Sequence, residues 1–208
     1  MKIHNPLDKI LNNEIKVRIL RQLCKTEEES SGRQIAKEIK ISPAACHKAL
    51  QGLYQQRVLN FKNIGNTYLY SLNNKNIIVD TLIKPAFKQE LRIPDIISSI
   101  IEKGLSKKVK QKIITAAVFG SVAKGKEKAS SDIDLLIVIR DSKDKNEIEN
   151  AISGISSKIL NEFGNTISLY IQARKEFKTK YNNKLPVILN ILNSYKLVFG
   201  KSLEEILT

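Results

Sequence analysis

Apolar residues near the start of the chain recur at helical spacing. In residues 14–24 they include Ile15, Ile19, Leu20 and Leu23, so that Ile15 is followed four residues later by Ile19, and Leu20 three residues later by Leu23. This period places them on one face and predicts an amphipathic core helix. Residues 27–31 then combine three glutamates with two serines, which predicts a solvated loop that ends in a helix cap at Ser31.

Two more helices follow in quick succession. Residues 31–40 predict a short helix capped by Ser31, and residues 42–56 predict another, with Ser42 as cap and Pro43 at the first position. Because only a few residues separate them, they are typical of a helix-turn-helix, whose second helix can enter the major groove of DNA. The outward face of that helix would carry Ala44, His47, Lys48 and Gln51. A buried histidine is the alternative interpretation of His47.

Alternating residues 58–63 and 67–72 flank a glycine-containing turn, which predicts a β-hairpin. Helix, helix-turn-helix and hairpin in this order resemble a winged-helix domain, here over residues 1–75. The resemblance implies binding to double-stranded DNA, although some such domains bind proteins only. The residues expected to contact DNA are Ser42, Ala44, His47, Lys48, Gln51 and Lys62.

A second domain is expected after a helical linker. Residues 76–93 are amphipathic but contain Pro85, which predicts one kinked helix or two short ones. Pro94 opens a further helix, and from there to residue 208 helices alternate with apolar strands predicted at 113–119, 132–139 and 166–172. This order predicts an α/β domain over 94–208.

Composition places the chain among ordinary globular proteins, with 42% apolar and 27% charged residues in 208. No apolar run reaches the roughly 18 residues that span a bilayer, and the first residues lack the apolar stretch of a signal peptide, so a cytoplasmic location without a membrane partner is expected. Cys24 and Cys46 lie on apolar helix faces and are interpreted as reduced core residues; with two histidines they suit no zinc site.

A formal net charge of +14 favours a polyanionic partner such as nucleic acid. The same excess could reflect the codon bias of an AT-rich genome, since lysine, isoleucine and asparagine are abundant together. Charge alone therefore does not identify the partner.

The chemistry is concentrated in the stretch VFGSVAKGKEKASSDIDLLIVI, residues 118–139. Side chains alternate along a strand, so Asp132 and Asp134 should point to the same side. Two adjacent carboxylates repel each other unless a hard divalent cation such as Mg²⁺ neutralises them, and Mg²⁺ usually arrives with substrate phosphates. The turn at Gly120 and Ser121 could hold phosphate oxygens, with lysines beside it as counter-charges, at Lys124, Lys126 and Lys128.

The same stretch resembles the G-S-x-A-x-G…S-D-x-D-L-x-V pattern of the DNA polymerase β-like nucleotidyltransferases, especially their minimal members. The matching residues are Gly120, Ser121, Gly125, Ser131, Asp132 and Asp134. The resemblance covers roughly residues 105–207 and implies a small mixed sheet flanked by helices. It implies a nucleotide-binding set of Gly120, Ser121, Lys124 and Ser131. It also implies that Asp132 and Asp134 are catalytic ligands of Mg²⁺, or of Mn²⁺ in its place.

One part of the family pattern is missing. These enzymes usually carry a third carboxylate on a later strand, which completes the metal site and can accept a proton from the attacking hydroxyl. Here the corresponding strand contains Ser168 and Tyr170 instead. Glu176, just after the strand, is the alternative supplier, although a glutamate at a helix start is also common for structural reasons.

Two functions therefore remain open for this chain of α/β (α+β) class. In the first it is a Mg²⁺-dependent enzyme that transfers a nucleoside monophosphate from an NTP to a hydroxyl. In one variant of this function the acceptor is a toxin-like partner protein. A homodimer is also a possible assembly of the chain. In the second it is a DNA-binding regulator whose degenerate nucleotidyltransferase domain senses nucleotides.

Overall fold

The computed structural model describes residues 2–208. The chain divides between Ile93 and Pro94 into two compact units. Residues 76–93, expected to form a linker, fall in the first unit. Among residues 2–208, no helix is both long and apolar enough to cross a membrane.

The first unit is built from short helices and a small sheet. Its helices are α1 (Leu7–Ile10), α2 (Glu14–Thr26), α3 (Gly32–Glu38), α4 (Pro43–Gln55) and α5 (Lys84–Leu91). Its strands are β1 (Ser30–Ser31), β2 (Leu59–Ile64) and β3 (Thr67–Leu72). A π-helical segment, Val79–Ile83, runs without a break into α5, since Ile83 and Lys84 both keep helical backbone angles. The segment around Pro85 is therefore one continuous, irregular helix rather than two separate ones.

This unit has the winged helix-turn-helix arrangement predicted from the sequence. Helices α3 and α4 form the helix-turn-helix, and β2 and β3 form the hairpin behind them. The predicted caps are present, since the Ser31 hydroxyl accepts from Gln34 N–H at 3.2 Å and the Ser42 hydroxyl accepts from Ala45 N–H at 3.3 Å. The expected loop at Ser30 and Ser31 is instead the short strand β1, which pairs antiparallel with β3.

The core of the first unit joins α2, α4 and the segment before residue 93. Buried side chains from α2 and α4 include Ile19, Leu20, Leu23, Cys46, Ala49, Leu50 and Leu53. Val79, Ile83 and Phe87 complete the same cluster. Arg21 fixes this packing by donating to both carboxylate oxygens of Glu90, at 2.6 and 2.9 Å. The two cysteines are free, with Cys46 buried and Cys24 half-buried.

The second unit places a four-stranded sheet between helices. Its helices are α6 (Ile93–Gly104), α7 (Lys107–Lys112), α8 (Gly120–Ala123), α9 (Lys145–Phe163), α10 (Arg174–Asn182), α11 (Pro186–Asn193) and α12 (Leu203–Leu207). Its strands are β4 (Ile113–Phe119), β5 (Ile133–Ile139), β6 (Ile167–Ala173) and β7 (Lys196–Gly200). The order across the sheet is β6-β5-β4-β7.

The sheet is mixed, as predicted. Strands β5 and β6 are parallel, whereas β4 runs antiparallel to both β5 and β7. Strand β7 was not predicted, because only helices were expected after the strand at 166–172. It is short and only partly buried, so its sequence lacks the continuous apolar run that marks the central strands.

Strand β5 is buried on both faces, which explains its apolar run. Alternate residues Ile133, Leu135, Ile137 and Ile139 join the cluster that includes α6, α7 and α9. Leu136 and Val138 point the other way, into a cluster with α10, α11 and α12. Since Asp134 shares the parity of Leu136 and Val138, its side chain belongs to the α10–α12 face of the sheet.

Gly200, at the end of β7, allows close contact with β4. It has φ +94°, and a Cβ built there would lie 2.2 Å from the Ile114 carbonyl oxygen. We expect Gly200→Ala to lower the free energy of unfolding by about 1–3 kcal/mol, because alanine is strained at a positive φ and its Cβ would clash with the Ile114 carbonyl oxygen. Urea unfolding followed by circular dichroism measures the change.

Gly154 in α9 is the matched control. A Cβ built there meets nothing within 4 Å. Gly154→Ala should therefore raise the free energy of unfolding by about 0.5–1 kcal/mol, because alanine reduces the conformational entropy of the unfolded chain. Equal effects of the two substitutions would contradict this account of Gly200.

Candidate functional site

The predicted carboxylate pair lies at the start of β5. Asp134 stands opposite Phe119, the last residue of β4, and beside Ser168 near the start of β6. Asp132 precedes the strand and is exposed, while Asp134 is half-buried. The end of β4, the starts of β5 and β6, and the turn after β4 therefore meet at one edge of the sheet.

The two carboxylates affect each other electrostatically. Burial raises the pKa of Asp134, and the nearby charge of Asp132 raises that pKa further. A hydrogen bond from the Ser168 side chain opposes both effects. Asp132 in turn accepts a hydrogen bond from the Thr166 hydroxyl. Two hydroxyls of the β6 segment thus orient the carboxylates, and a positive charge placed between the carboxylates would be stabilised.

Gly120 is required at this edge because the Asp134 carboxylate lies against its backbone. Gly120 has φ +72°, and a Cβ built there would lie 2.0 Å from Asp134 Oδ2. Any other residue would displace the carboxylate as well as strain the backbone. The sequence had suggested a glycine that lets phosphate approach; the structure adds that the neighbouring carboxylate also needs it.

The turn after Gly120 is stabilised by its own backbone. The Ser121 carbonyl accepts from Lys124 N–H at 3.2 Å and from Lys126 N–H at 3.0 Å, while Gly125 takes φ +59°. This pattern ends a helix with a left-handed glycine. It leaves Lys124 and Lys126 exposed, and Ser121 half-buried beside the carboxylate edge.

Ser131 closes the loop that leads into Asp132. Its hydroxyl accepts from Lys128 N–H at 2.9 Å. Asn165 holds the same loop from the other side, since its side-chain amide donates to the carbonyls of Ala129 at 3.3 Å and Ser131 at 2.9 Å. The sequence did not identify Asn165 or Thr166, because their role depends on the β5–β6 register, which has no local sequence signal.

The position of the missing carboxylate is occupied by a hydroxyl. Within residues 2–208, no three His, Cys, Asp or Glu side chains cluster so as to hold a metal ion. Ser168 is the residue of β6 paired with Asp134. The alternative supplier, Glu176, is at the other end of β6, where its Oε2 accepts from Ala173 N–H at 3.2 Å. Ala173 is about 16 Å along the strand from Ser168, so Glu176 caps α10 and does not reach the pair.

Tyr170 lies one step further along the same face of β6. It pairs with Leu136 rather than with a carboxylate. Its hydroxyl accepts from Lys180 Nζ at 3.1 Å, and its ring lies 6.4 Å from the ring of Phe119. Tyr170 therefore forms the wall of the site beyond Ser168.

The residues expected to contact DNA lie on exposed surfaces of the first unit. Helix α4 leaves Ser42, Ala44, His47, Lys48 and Gln51 exposed, and Lys62 is exposed on β2. His47 is therefore on the surface rather than in the core. Its Nε2 lies 2.9 Å from Gln51 Nε2, which aligns the two side chains along the helix.

Charge on this part of the chain has one sign. Residues 40–79, which include α4 and the hairpin, contain no aspartate or glutamate. They carry five basic residues, Lys40, Lys48, Arg57, Lys62 and Lys75. The side chains of this segment therefore contribute only positive charge, which attracts phosphate, although Glu27 and Glu29 line one pocket with Asn60 and Ser71.

Solved structures share only limited similarity with the chain. Reduced HlyU from Vibrio cholerae is 23% identical, with 42% of this chain and 84% of HlyU covered and a TM-score of 0.36. ZitR of Lactococcus lactis in complex with DNA is 25% identical, with 46% of this chain and 73% of ZitR covered and a TM-score of 0.33. A toxin-antitoxin with AMP-PNP is 15% identical, with 52% of this chain and 76% of that chain covered and a TM-score of 0.34. These scores are too low to establish a shared fold.

A family model identifies the second unit. No curated protein matches the chain at a significant level. The model described as Polymerase beta, Nucleotidyltransferase matches residues 100–204, just over half of the 208 residues. The matched region contains the Gly120–Ser121 turn, both carboxylates and the whole four-stranded sheet. The chain therefore belongs to the polymerase beta nucleotidyltransferase family.

Proposed function

We propose that the second unit binds an NTP with Mg²⁺ and transfers its nucleoside monophosphate slowly to a hydroxyl acceptor. The observation that carries this proposal is the edge where Asp132 and Asp134 meet the Gly120–Ser121 turn. The acceptor is a hydroxyl of nucleic acid, protein or a small molecule.

The donor atoms at this edge suit Mg²⁺. Mg²⁺ is commonly bound through one or two carboxylates plus substrate phosphates and water, so a third protein carboxylate is not needed for binding. Burial and, after it, the nearby charge of Asp132 raise the pKa of Asp134, and a bound cation would offset both effects. When bound, Mg²⁺ or Mn²⁺ would supply charge neutralisation for the triphosphate.

The chain's own residues would position the nucleotide. The N–H groups of the turn after Gly120 would donate to phosphate oxygens, while the space left by the missing Gly120 side chain holds the Asp134 carboxylate. The Ser121 hydroxyl would donate to a phosphate oxygen, and the exposed Lys124 and Lys126 would balance the remaining charge. Ser131 would act indirectly, since its hydroxyl holds the loop that carries Asp132.

The absence of a general base beside Asp134 predicts slow transfer. General-base assistance is worth roughly 10²- to 10⁴-fold in rate. Ser168, at the paired position, has no proton affinity comparable to that of a carboxylate. The acceptor hydroxyl would therefore be bound beside the phosphate without efficient removal of its proton.

The second candidate function is regulation of DNA binding by the bound nucleotide. The hydroxyl at position 168 favours it, because a site that binds without turning over acts as a receptor. The first unit supports DNA as the partner through the exposed face of α4 and through residues 40–79, which lack acidic side chains.

Asp134→Asn should stabilise the metal-free protein at neutral pH and abolish nucleotide binding. The pKa of Asp134 is raised in the folded state, so the ionised form costs stability that is regained as pH falls through this raised pKa. The advantage of the variant should therefore disappear in mild acid. Thermal unfolding with and without Mg²⁺–ATP measures both effects, and only the wild type should gain stability from the nucleotide.

Asp141→Asn is the control of opposite sign. A hydrogen bond from Lys143 N–H lowers the pKa of Asp141, so its neutralisation should destabilise the protein slightly at neutral pH and leave the response to Mg²⁺–ATP intact. A nucleotide-induced gain of stability in Asp134→Asn would rule out the proposed site.

Ser168→Asp should increase label transfer from NTPs to a cell lysate, by about tenfold or more, because it places a carboxylate beside Asp134. Tyr170→Asp is the matched control, since its partner is Leu136 and the new carboxylate would lie one step too far along β6. Transfer by the wild type as rapid as by Ser168→Asp would contradict the role assigned to the missing base.

Lys48→Ala should weaken binding of the full chain to duplex DNA and reduce the dependence of affinity on salt. Each phosphate contact that is lost lowers the slope of log affinity against log salt by about one. Lys88→Ala on α5, also exposed, should leave both unchanged. Fluorescence anisotropy at several salt concentrations measures the slopes, and identical slopes for the two variants would contradict a DNA contact at α4.

A further inference from the structure

Three aromatic side chains of the first unit form an exposed row, here called the aromatic ladder: Tyr54, Phe61 and Tyr68. Their rings contact in sequence, with centroids 4.9 Å apart between Tyr54 and Phe61 and 5.9 Å apart between Phe61 and Tyr68. Both contacts are edge-to-face. The three residues are 45%, 45% and 53% exposed, so the ladder is structured by its own ring contacts while facing solvent.

The ladder continues the proposed DNA-contacting face of α4. At the helical period, Tyr54 lies within about 60° of His47 and Gln51 around the helix axis. Phe61 extends the row onto β2, and Tyr68 extends it onto β3 through the diagonal of the hairpin. A ligand lying along the exposed face of α4 would therefore meet the ladder where the helix ends.

Charge identifies the chemistry of that ligand. The ladder lies inside residues 40–79, which carry basic residues and no acidic ones. A protein partner would need acidic residues opposite the basic side chains of this segment, whereas every nucleic acid carries negative charge along its whole length. Exposed aromatic rings next to a positive surface are the usual arrangement for stacking of unpaired bases.

An intact duplex offers little to these rings. Its base faces are covered by stacking, so only groove edges and the backbone are accessible, and side chains such as Gln51 and Lys48 suit those better. The three rings, at the C-terminal end of α4 and on the hairpin, can stack on a base only where the strand is unpaired or locally opened.

We propose that the aromatic ladder binds unstacked bases, so that the protein prefers DNA with an unpaired stretch over the same DNA fully paired. This inference deepens the proposed DNA binding and rests on it. Helix α4 would hold the paired part of the site through phosphate and base-edge contacts, and the ladder would hold the opened strand.

The test compares the full chain on two labelled probes, a perfect duplex and the same duplex with a central run of mismatches. The wild type should bind the mismatched probe about tenfold more tightly or better, since each base stacked on an aromatic ring contributes a factor of that order. With 2-aminopurine in the mismatched run, binding should quench its fluorescence, which reports stacking directly.

The variants Tyr54→Gln and Tyr68→Thr should each lose the preference and the quenching while retaining duplex affinity within about twofold. Both sites are exposed, and glutamine and threonine suit a helix and a strand respectively. Ile64→Thr is the matched control, because Ile64 is 52% exposed on the same hairpin but its side chain alternates to the other face. It should behave as the wild type.

Equal affinity of the wild type for both probes, or binding without quenching, would overturn the ladder proposal while leaving duplex binding intact. Unchanged behaviour of both ladder variants would overturn it as well and would favour a protein partner for the ladder. Failure to bind either probe would overturn DNA binding and the ladder proposal together, whereas binding to the mismatched probe alone would support the ladder and overturn duplex binding.

Discussion

The contact between the Asp134 carboxylate and the backbone of Gly120 is the constraint on which the candidate site depends. Asp134 can lie there only because position 120 has no Cβ and adopts a positive φ. That backbone angle in turn directs the chain from β4 into the short helix α8, which places Ser121 at the same edge of the sheet as the carboxylate. The strand, the turn and the charge are therefore one arrangement, and a change at Gly120 would alter all three.

The neighbouring strand determines how this arrangement can react. Thr166 donates to Asp132, and Ser168 donates to Asp134. These hydroxyls orient the carboxylates without adding charge. Under the proposed function, the site would bind a cation through the carboxylates and would lack a group that accepts a proton. The proposal therefore assigns the difference between nucleotide binding and efficient catalysis to one paired position, Ser168, while the apolar residues of β5 stay buried.

Sequence patterns predicted the elements whose periodicity is driven by burial. The amphipathic helices of the first unit, the apolar run of β5 and the caps at Ser31 and Ser42 are local features, and the structure contains them. Strand β7 was missed because its partly buried residues carry no continuous apolar run. The contacts of Asn165 were missed because they depend on the parallel pairing of β5 with β6, and the distance of Glu176 from the carboxylates follows from the same pairing.

The central claim is that Asp132 and Asp134, with the Gly120–Ser121 turn, form one site for a metal-bound nucleotide. A crystal of the full chain grown with Mn²⁺ and a non-hydrolysable ATP analogue, measured for the anomalous signal of manganese, tests it most directly. The account predicts a manganese peak in contact with both carboxylates and nucleotide phosphates against the Gly120–Ser121 turn. A nucleotide bound elsewhere in the chain, or manganese that contacts neither Asp132 nor Asp134, would contradict it.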